Sequence, residues 1–262
     1  MNCFRIQIIC IVLFGMYYVA LYAQSKNDEV IKVPPTANNF AYPQSVFVDS
    51  PHGNIWVTDF SNNRVLRFDV IAKATLGITA LIEGFYNGTT MVSDTVTVEL
   101  RNSTIPYSLV ESKKIVLNTS GSGSGNFTSA INGTPYYIVV KHRNAVETWS
   151  ASAQSFSGGT LSYNFTSGQF QAFGGNQINK GSKWCLYSGD VYQDGIVDSG
   201  DLGIIDNDNA NYVSGYFNTD VNGDGIVDSG DLGLVDNNNA AYVGKIVPTG
   251  VLQQTKLTGS LK

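Results

Sequence analysis

Between residues 40 and 186 apolar and polar residues alternate, and the three-to-four spacing of an amphipathic helix is almost absent. Val96, Val98 and Leu100 fall on one side of an extended segment whose other side carries Thr95, Thr97 and Glu99, the pattern of a strand with one buried face. Leu76 to Ile82 and Tyr136 to Arg143 are equally clear runs, and Ile115 to Leu117, Phe127 to Ile131, Thr148 to Ser150 and Leu161 to Phe165 are shorter ones. Turn residues separate them at Tyr86-Asn87-Gly88, across Asn118 to Asn126 and at Asn132-Gly133-Thr134-Pro135. Seven short strands with such turns predict a mainly β fold, a β-sandwich over residues 74–186. A separate meander is expected over residues 40–72. There Val46 to Asp49, Ile55 to Asp59 and Val65 to Asp69 alternate around a turn at Ser50 to Asn54.

The N-terminus has a different texture. A short basic start, Met1 to Arg5, precedes the apolar run Ile6 to Val19, and Ala20-Leu21-Tyr22-Ala23 leads into polar sequence. This is the three-part layout of a secretory signal peptide over residues 1–23, and the run is short of the ~20 residues a spanning helix needs. Residues 24–39, with Pro34-Pro35, read as a polar linker. The expectation is a secreted or cell-surface protein with no transmembrane segment after cleavage. Cys3 and Cys10 leave with the leader, so Cys185 stands alone, without an intramolecular disulfide, and is expected to pack as a small buried residue.

Two stretches resemble known families. Pro43-Gln44-Ser45-Val46-Phe47-Val48-Asp49, Gly53-Asn54-Ile55-Trp56-Val57-Thr58-Asp59 and Asn62-Asn63-Arg64-Val65-Leu66-Arg67-Phe68 together resemble one NHL repeat, the blade unit of a β-propeller. Propellers typically close with about 4–8 blades, so a single blade is read as the stub of a larger ancestor. The run Gly133-Thr134-Pro135-Tyr136-Tyr137-Ile138-Val139-Val140-Lys141-His142 resembles the penultimate strand of prealbumin-like sandwiches of secreted bacterial proteins, which implies an Ig/prealbumin-like β-sandwich. Six Asn-x-Ser/Thr sequons fall in this region and are read as turn and strand residues.

Composition sharpens the picture at one place. Charged residues are 14% of the chain and the net charge is −5, which leaves no basic surface for nucleic acid. Residues 187–244 hold eleven Asp with no Glu, Lys or Arg, a local charge of −11, while the rest of the chain is +6. Carboxylates at that density repel unless a cation holds them. The same stretch is duplicated: residues 189–213 and 219–243 are identical at 18 of 25 positions, offset by thirty. Each copy has oxygen-bearing residues at positions 1, 5, 9 and 12 of a twelve-residue loop, with Gly at position 6. That is the spacing by which a loop offers six to eight hard oxygens to calcium. The first loop offers Asp190, Asp194, Asp198, Asp201 and the Ile196 carbonyl; the second offers Asp220, Asn222, Asp224, Asp228, Asp231 and the Ile226 carbonyl. Tyr192 stands where Asn222 supplies an oxygen, so two calcium ions are expected, the first bound more weakly.

This duplication resembles a type I dockerin domain, with EF-hand-type loops ending in Asp and followed by Leu202 or Leu232. The resemblance implies a calcium-folded adaptor module over residues 187–247, before a tail at 248–262. It implies calcium-dependent protein–protein interaction, often in extracellular polysaccharide catabolism. Each loop is expected to lead into a short helix capped by Ser199 or Ser229, with Leu202, Ile205 and Tyr212, or Leu232, Val235 and Tyr242, on the packing face. Positions 10 and 11 are Ser199-Gly200 and Ser229-Gly230, and neither helix has a Lys or Arg. The partner is therefore open between a cohesin-like or other cell-surface protein and the chain's own β-sandwich. No catalytic constellation appears: His52 and His142 read as structural or solvated, and Glu83, Glu99, Glu111 and Glu147 are not paired by sequence. The function expected is that of a secreted, non-catalytic modular protein. The alternative is a carbohydrate-binding accessory, with Trp149, Tyr163, Phe165 and Phe170 as candidates for stacking on sugars.

Overall fold

The computed structural model describes residues 6–13, 16–23, 42–49, 54–69 and 74–248, in one unit over residues 1–72 and a second over 73–262. The polar linker, residues 50–53 and residues 249–262 of the tail lie outside the described residues. In the first unit β1 (Ile6–Leu13) and β2 (Met16–Ala23) pair antiparallel, with Ile6 opposite Ala23 and Leu13 opposite Met16. The apolar stretch thus supplies two paired strands, in keeping with its content of Ile, Val and Tyr. The meander follows as β3 (Pro43–Asp49), β4 (Asn54–Asp59) and β5 (Arg64–Asp69), a three-stranded antiparallel sheet in that order. Val57 of the central strand lies opposite Val46 on one side and Leu66 on the other. Ile55, Val57 and Asp59 share its buried face.

The second unit is mainly β and does not close into a barrel. Its larger sheet is built from β7 (Asp94–Asn102), β8 (Leu109–Leu117), β10 (Pro135–His142), β11 (Ala145–Trp149) and the short β12 (Gln154–Ser155), in the order β11-β10-β7-β8 with β12 on β10. A smaller sheet runs β13-β6-β9, from β6 (Ala74–Thr79), β9 (Ser122–Phe127) and β13 (Thr160–Asn164), with β13 parallel to β6. The inward side of β7 is as expected, with Val96, Val98 and Leu100 fully buried, but Glu99 on the other side is also buried, paired with Arg101 and Lys141. One apolar core draws Val96, Leu100, Ile138 and Val140 from the larger sheet together with Leu76, Ile78 and Phe127 from the smaller. A hairpin of β14 (Ile178–Lys180) and β15 (Lys183–Cys185) completes this two-sheet body, and Cys185 is buried, its thiol pushed by burial up to about 12.

One strand was hidden in a predicted turn. Residues 118–126 carry no apolar alternation, yet Ser122 to Phe127 form β9, and the expected strand from Phe127 to Ile131 is irregular beyond Phe127. Close approach explains it. A Cβ at Gly123 would sit 2.5 Å from the Val116 carbonyl, and one at Gly125 would sit 2.8 Å from the end of Ile115. The glycines let β9 lie against β8. The reversal is held by Asn118, whose side-chain oxygen accepts from the N–H groups of Ser120 and Ser122, each at 3.0 Å.

The rest of the second unit holds the helices α1 (Ser199–Ala210) and α2 (Ser229–Ala240). Their caps are Asp198 and Asp228, one residue earlier than Ser199 and Ser229, and each closes a reciprocal box with Asp201 or Asp231 three residues on. An acceptor at this position meets two orphan donors, which a serine in the first turn does not reach. Ile205 and Val235 are buried in a second apolar core, with Leu202 and Leu232 packed against it. Tyr212 and Tyr242 instead lie beyond the helix ends, at φ 54°, and are 90% and 92% exposed.

Asp94, at the start of β7, is a buried junction. Its Oδ2 pairs with His142 Nε2 at 3.0 Å and accepts from Arg143 Nε at 3.1 Å, while Oδ1 accepts from the Tyr216 hydroxyl at 2.7 Å. Burial alone would raise its pKa; the bonds from His142, Tyr216 and the Thr95 N–H outweigh it and hold the carboxyl well below the usual carboxylate range. A depressed carboxylate contributes its full stability above the unfolded pKa of ~3.9 and loses it progressively as pH falls from there through the lowered folded value. An Asp94→Asn variant should therefore lose about 2–3 kcal/mol at pH 7. Chemical denaturation should show the gap from the parent closing below pH 4.

Candidate metal centre

The two loops repeat one another in backbone as well as sequence. Val191 and Tyr192 N–H groups donate to Asp201 Oδ1 at 2.8 and 3.0 Å, and Asp198 N–H donates to Asp201 Oδ2 at 2.9 Å. In the second loop Val221, Asn222 and Asp228 make the same three bonds to Asp231 at 2.6, 2.9 and 3.0 Å. The position-six glycines, at φ 95° and 87°, turn their N–H groups back to Asp190 and Asp220 Oδ2 at 3.1 and 3.2 Å. Asp194 and Asp224 accept from Ile196 and Ile226 N–H at 3.0 and 2.9 Å. Each loop is also bridged to the segment after the other helix: Val197 N–H donates to the Val243 carbonyl at 2.9 Å, and Val227 N–H to that of Val213 at 3.0 Å. The Ile196 and Ile226 carbonyls accept in neither bridge.

All the expected ligands thus stand along two matched turns. As the side chains lie, no three or more His, Cys, Asp or Glu groups among the described residues converge as a metal cluster. Their carboxylates are engaged with backbone N–H groups instead. Asp190 Oδ1 is different: it is buried and has no hydrogen-bond partner, a state that costs roughly 1–3 kcal/mol for an acceptor. In the second loop the matching atom of Asp220 accepts from Gly223 N–H at 2.8 Å. Burial, and then the charges of Asp201 and Asp194, push Asp190 up to about 6; burial likewise raises Asp201, Asp220 and Asp231. A hard cation among these oxygens would supply the missing counter-charge, and the all-oxygen donor set suits calcium. The Tyr192 side chain is mainly exposed, whereas Asn222 Oδ1 accepts from Asp224 N–H at 2.8 Å inside its loop.

Sequence reasoning missed how the two-sheet body meets this region. Asn144, in the turn from β10 to β11, is fully buried, and its Nδ2 donates to the Asp220 carbonyl at 2.8 Å. Asn238 of α2 donates to Glu83 Oε2 at 2.6 Å and to the Ser188 carbonyl at 2.8 Å. Val146 of β11 belongs to the second apolar core. A Cβ at Gly84 would lie 2.1 Å from the Val221 carbonyl.

Other expectations are met unevenly. His142 is buried against Asp94 and Phe85, not solvated, and His52 lies outside the described residues. Trp149 and Phe165 are buried and Tyr163 is half-buried, so of the four candidate stacking residues Phe170 alone is largely exposed. Glu99 and Glu147, unpaired in sequence, share Lys141 Nζ at 2.9 and 3.2 Å. Burial opposes ionisation of Glu147, but the bonds from Trp149 and Lys141 prevail and lower its pKa, the reverse of what a general acid needs.

Comparison with known proteins bears on part of this. The NHL repeat family matches residues 40–68, the stretch that folds as β3-β4-β5. No dockerin family match is found, and no curated protein matches the chain. A solved structure described as "Crystal Structure of S.CueP" is similar over 48% of this chain and 79% of its own, at 11% identity and a TM-score of 0.24.

Position six offers a clean test of the loop backbone. Nothing lies within 4 Å of a Cβ placed on Gly225, so Gly225→Ala probes only the left-handed conformation. It should cost about 1 kcal/mol of stability. At Gly195 a Cβ meets only the end of the exposed, flexible Lys245 side chain, which can move aside, so Gly195→Ala should cost a similar amount, as read from paired denaturation curves.

Proposed function

We propose that residues 187–247 are a dockerin-like module that binds two calcium ions, one in each duplicated loop, within a secreted, non-catalytic protein. Calcium orders the loops for protein–protein contact. Buried, partnerless Asp190 Oδ1 carries this reading, set among carboxylates spaced at calcium-loop positions. The two-sheet body, read as an Ig/prealbumin-like β-sandwich, is the favoured partner. In its support Asn144, Glu83 and Asp94 each bond a residue of the module. A cohesin-like or other cell-surface protein is then a further partner for the faces left exposed.

The carbohydrate-binding alternative has one observation in its favour. Thr75, Gly77 and Thr79 lie on the outer face of the smaller sheet with Ser122, Ser124 and Ser162 around them, uncharged and rich in hydroxyls. A shallow cleft of about 260 Å³ crosses it at Gly77. Retention of the whole chain on an insoluble neutral polysaccharide, abolished by Gly77→Arg, would favour that alternative.

Calorimetric titration of calcium into the chelator-treated chain tests the leading reading. Two binding events are expected, the second loop the tighter, so Asp231→Ala should lose more affinity than Asp201→Ala. No heat at millimolar calcium, with no change in circular dichroism, would overturn it.

A further inference from the structure

The two loops differ in who holds their first residue. In the first, the Asp190 carbonyl accepts from the side-chain amide of Gln193, at position four of the same loop. In the second, position four is Gly223, which has no side chain, and the Asp220 carbonyl accepts instead from the amide of Asn144, in the two-sheet body. One primary amide has been replaced by another, supplied from 76 residues away.

The neighbouring contacts reinforce this. Phe85 packs over Gly223, its ring atoms 3.1 Å from where a Cβ would stand, and the backbone at Gly84 presses on the Val221 carbonyl. The Arg143 guanidinium approaches Asp220 Oδ2 to 3.7 Å, anchored by Asp94 and lying 4.3 Å from the centre of the Tyr216 ring. The first loop has its own amide at this place, while the body meets it just outside the loop, where Gly189 N–H donates to the Asn144 carbonyl at 2.7 Å.

We infer that Asn144 is a positioning residue of the second loop, and that this loop takes calcium at the affinity the two-sheet body sets for it. The inference rests on the calcium reading above. Gln193 holds the equivalent carbonyl of the first loop from within. Loops of nearly the same sequence are thereby made inequivalent by a side chain that belongs to neither. Loss of the amide leaves the Asp220 backbone free to rotate and lowers calcium affinity at that loop alone.

The experiment uses the full chain with one loop silenced at a time, Asp201→Ala reporting the second loop and Asp231→Ala the first. Asn144→Ala should weaken calcium binding about tenfold at the second loop, the worth of one well-made hydrogen bond, and change the first less than about twofold by the same measure. Gln193→Ala should show the mirror image. Equal losses at both loops, or none at either, would overturn the inference while leaving calcium binding intact. Absence of calcium binding in the unmutated chain would overturn both. If Asn144→Ala does not fold, Asn144→Ser with Gln193→Ala makes the same comparison, and selectivity for one loop each remains the required result.

Discussion

A carboxylate taken out of water loses its solvation first and meets its neighbours' like charge second, and residues 187–248 are organised around those two costs. Most of the eleven aspartates stay at the surface, where water screens them. Four cannot: Asp190, Asp201, Asp220 and Asp231 are buried where the loops turn back on themselves. Their answer is backbone N–H groups. Asp201 and Asp231 each collect three, complete the capping box of a helix start and sit at its positive end. What remains falls on Asp190, whose carboxyl is pushed up to about 6 by burial and then by the charges of Asp201 and Asp194.

The two-sheet body answers the same constraint from outside. Its turn between β10 and β11 places Arg143 and Asn144 against Asp220, a cation and an amide where the second loop has no side chain to offer. Asp94 holds that turn from behind through His142 and Arg143 and reaches across to Tyr216. The acidic region and the sheets are therefore parts of one arrangement. The second apolar core, which includes Val146 from β11, says the same in hydrophobic terms.

How much of this was legible in the sequence depended on distance along the chain. Alternation in Thr95 to Leu100 needed only neighbouring residues, and β7 followed. The helices could be placed from the loop spacing, though their caps fell on Asp198 and Asp228 because a carboxylate accepts from two N–H groups at once. Ser122-Gly123-Ser124-Gly125 looked like a turn because its reason for being extended is the backbone of β8, not its own side chains. Asn144 carried no signal at all. An Asn in a hairpin turn is common, and its role appears only when a glycine-containing loop far along the chain is folded against it.

The cross-bridges tie each half of the repeat to the other. Val197 bonds to the segment after α2, and Val227 to the one after α1, so neither copy of the repeat contains its own pairing partner. A gene segment encoding one copy would yield a chain with an unmatched edge, completed most directly by a second identical chain. The duplication therefore supplies, within one chain, the pairing that a lone copy would lack. The two halves so joined need not be served alike: Gln193 holds the first loop from within, while at Gly223 the amide comes from Asn144 of the neighbouring sheets.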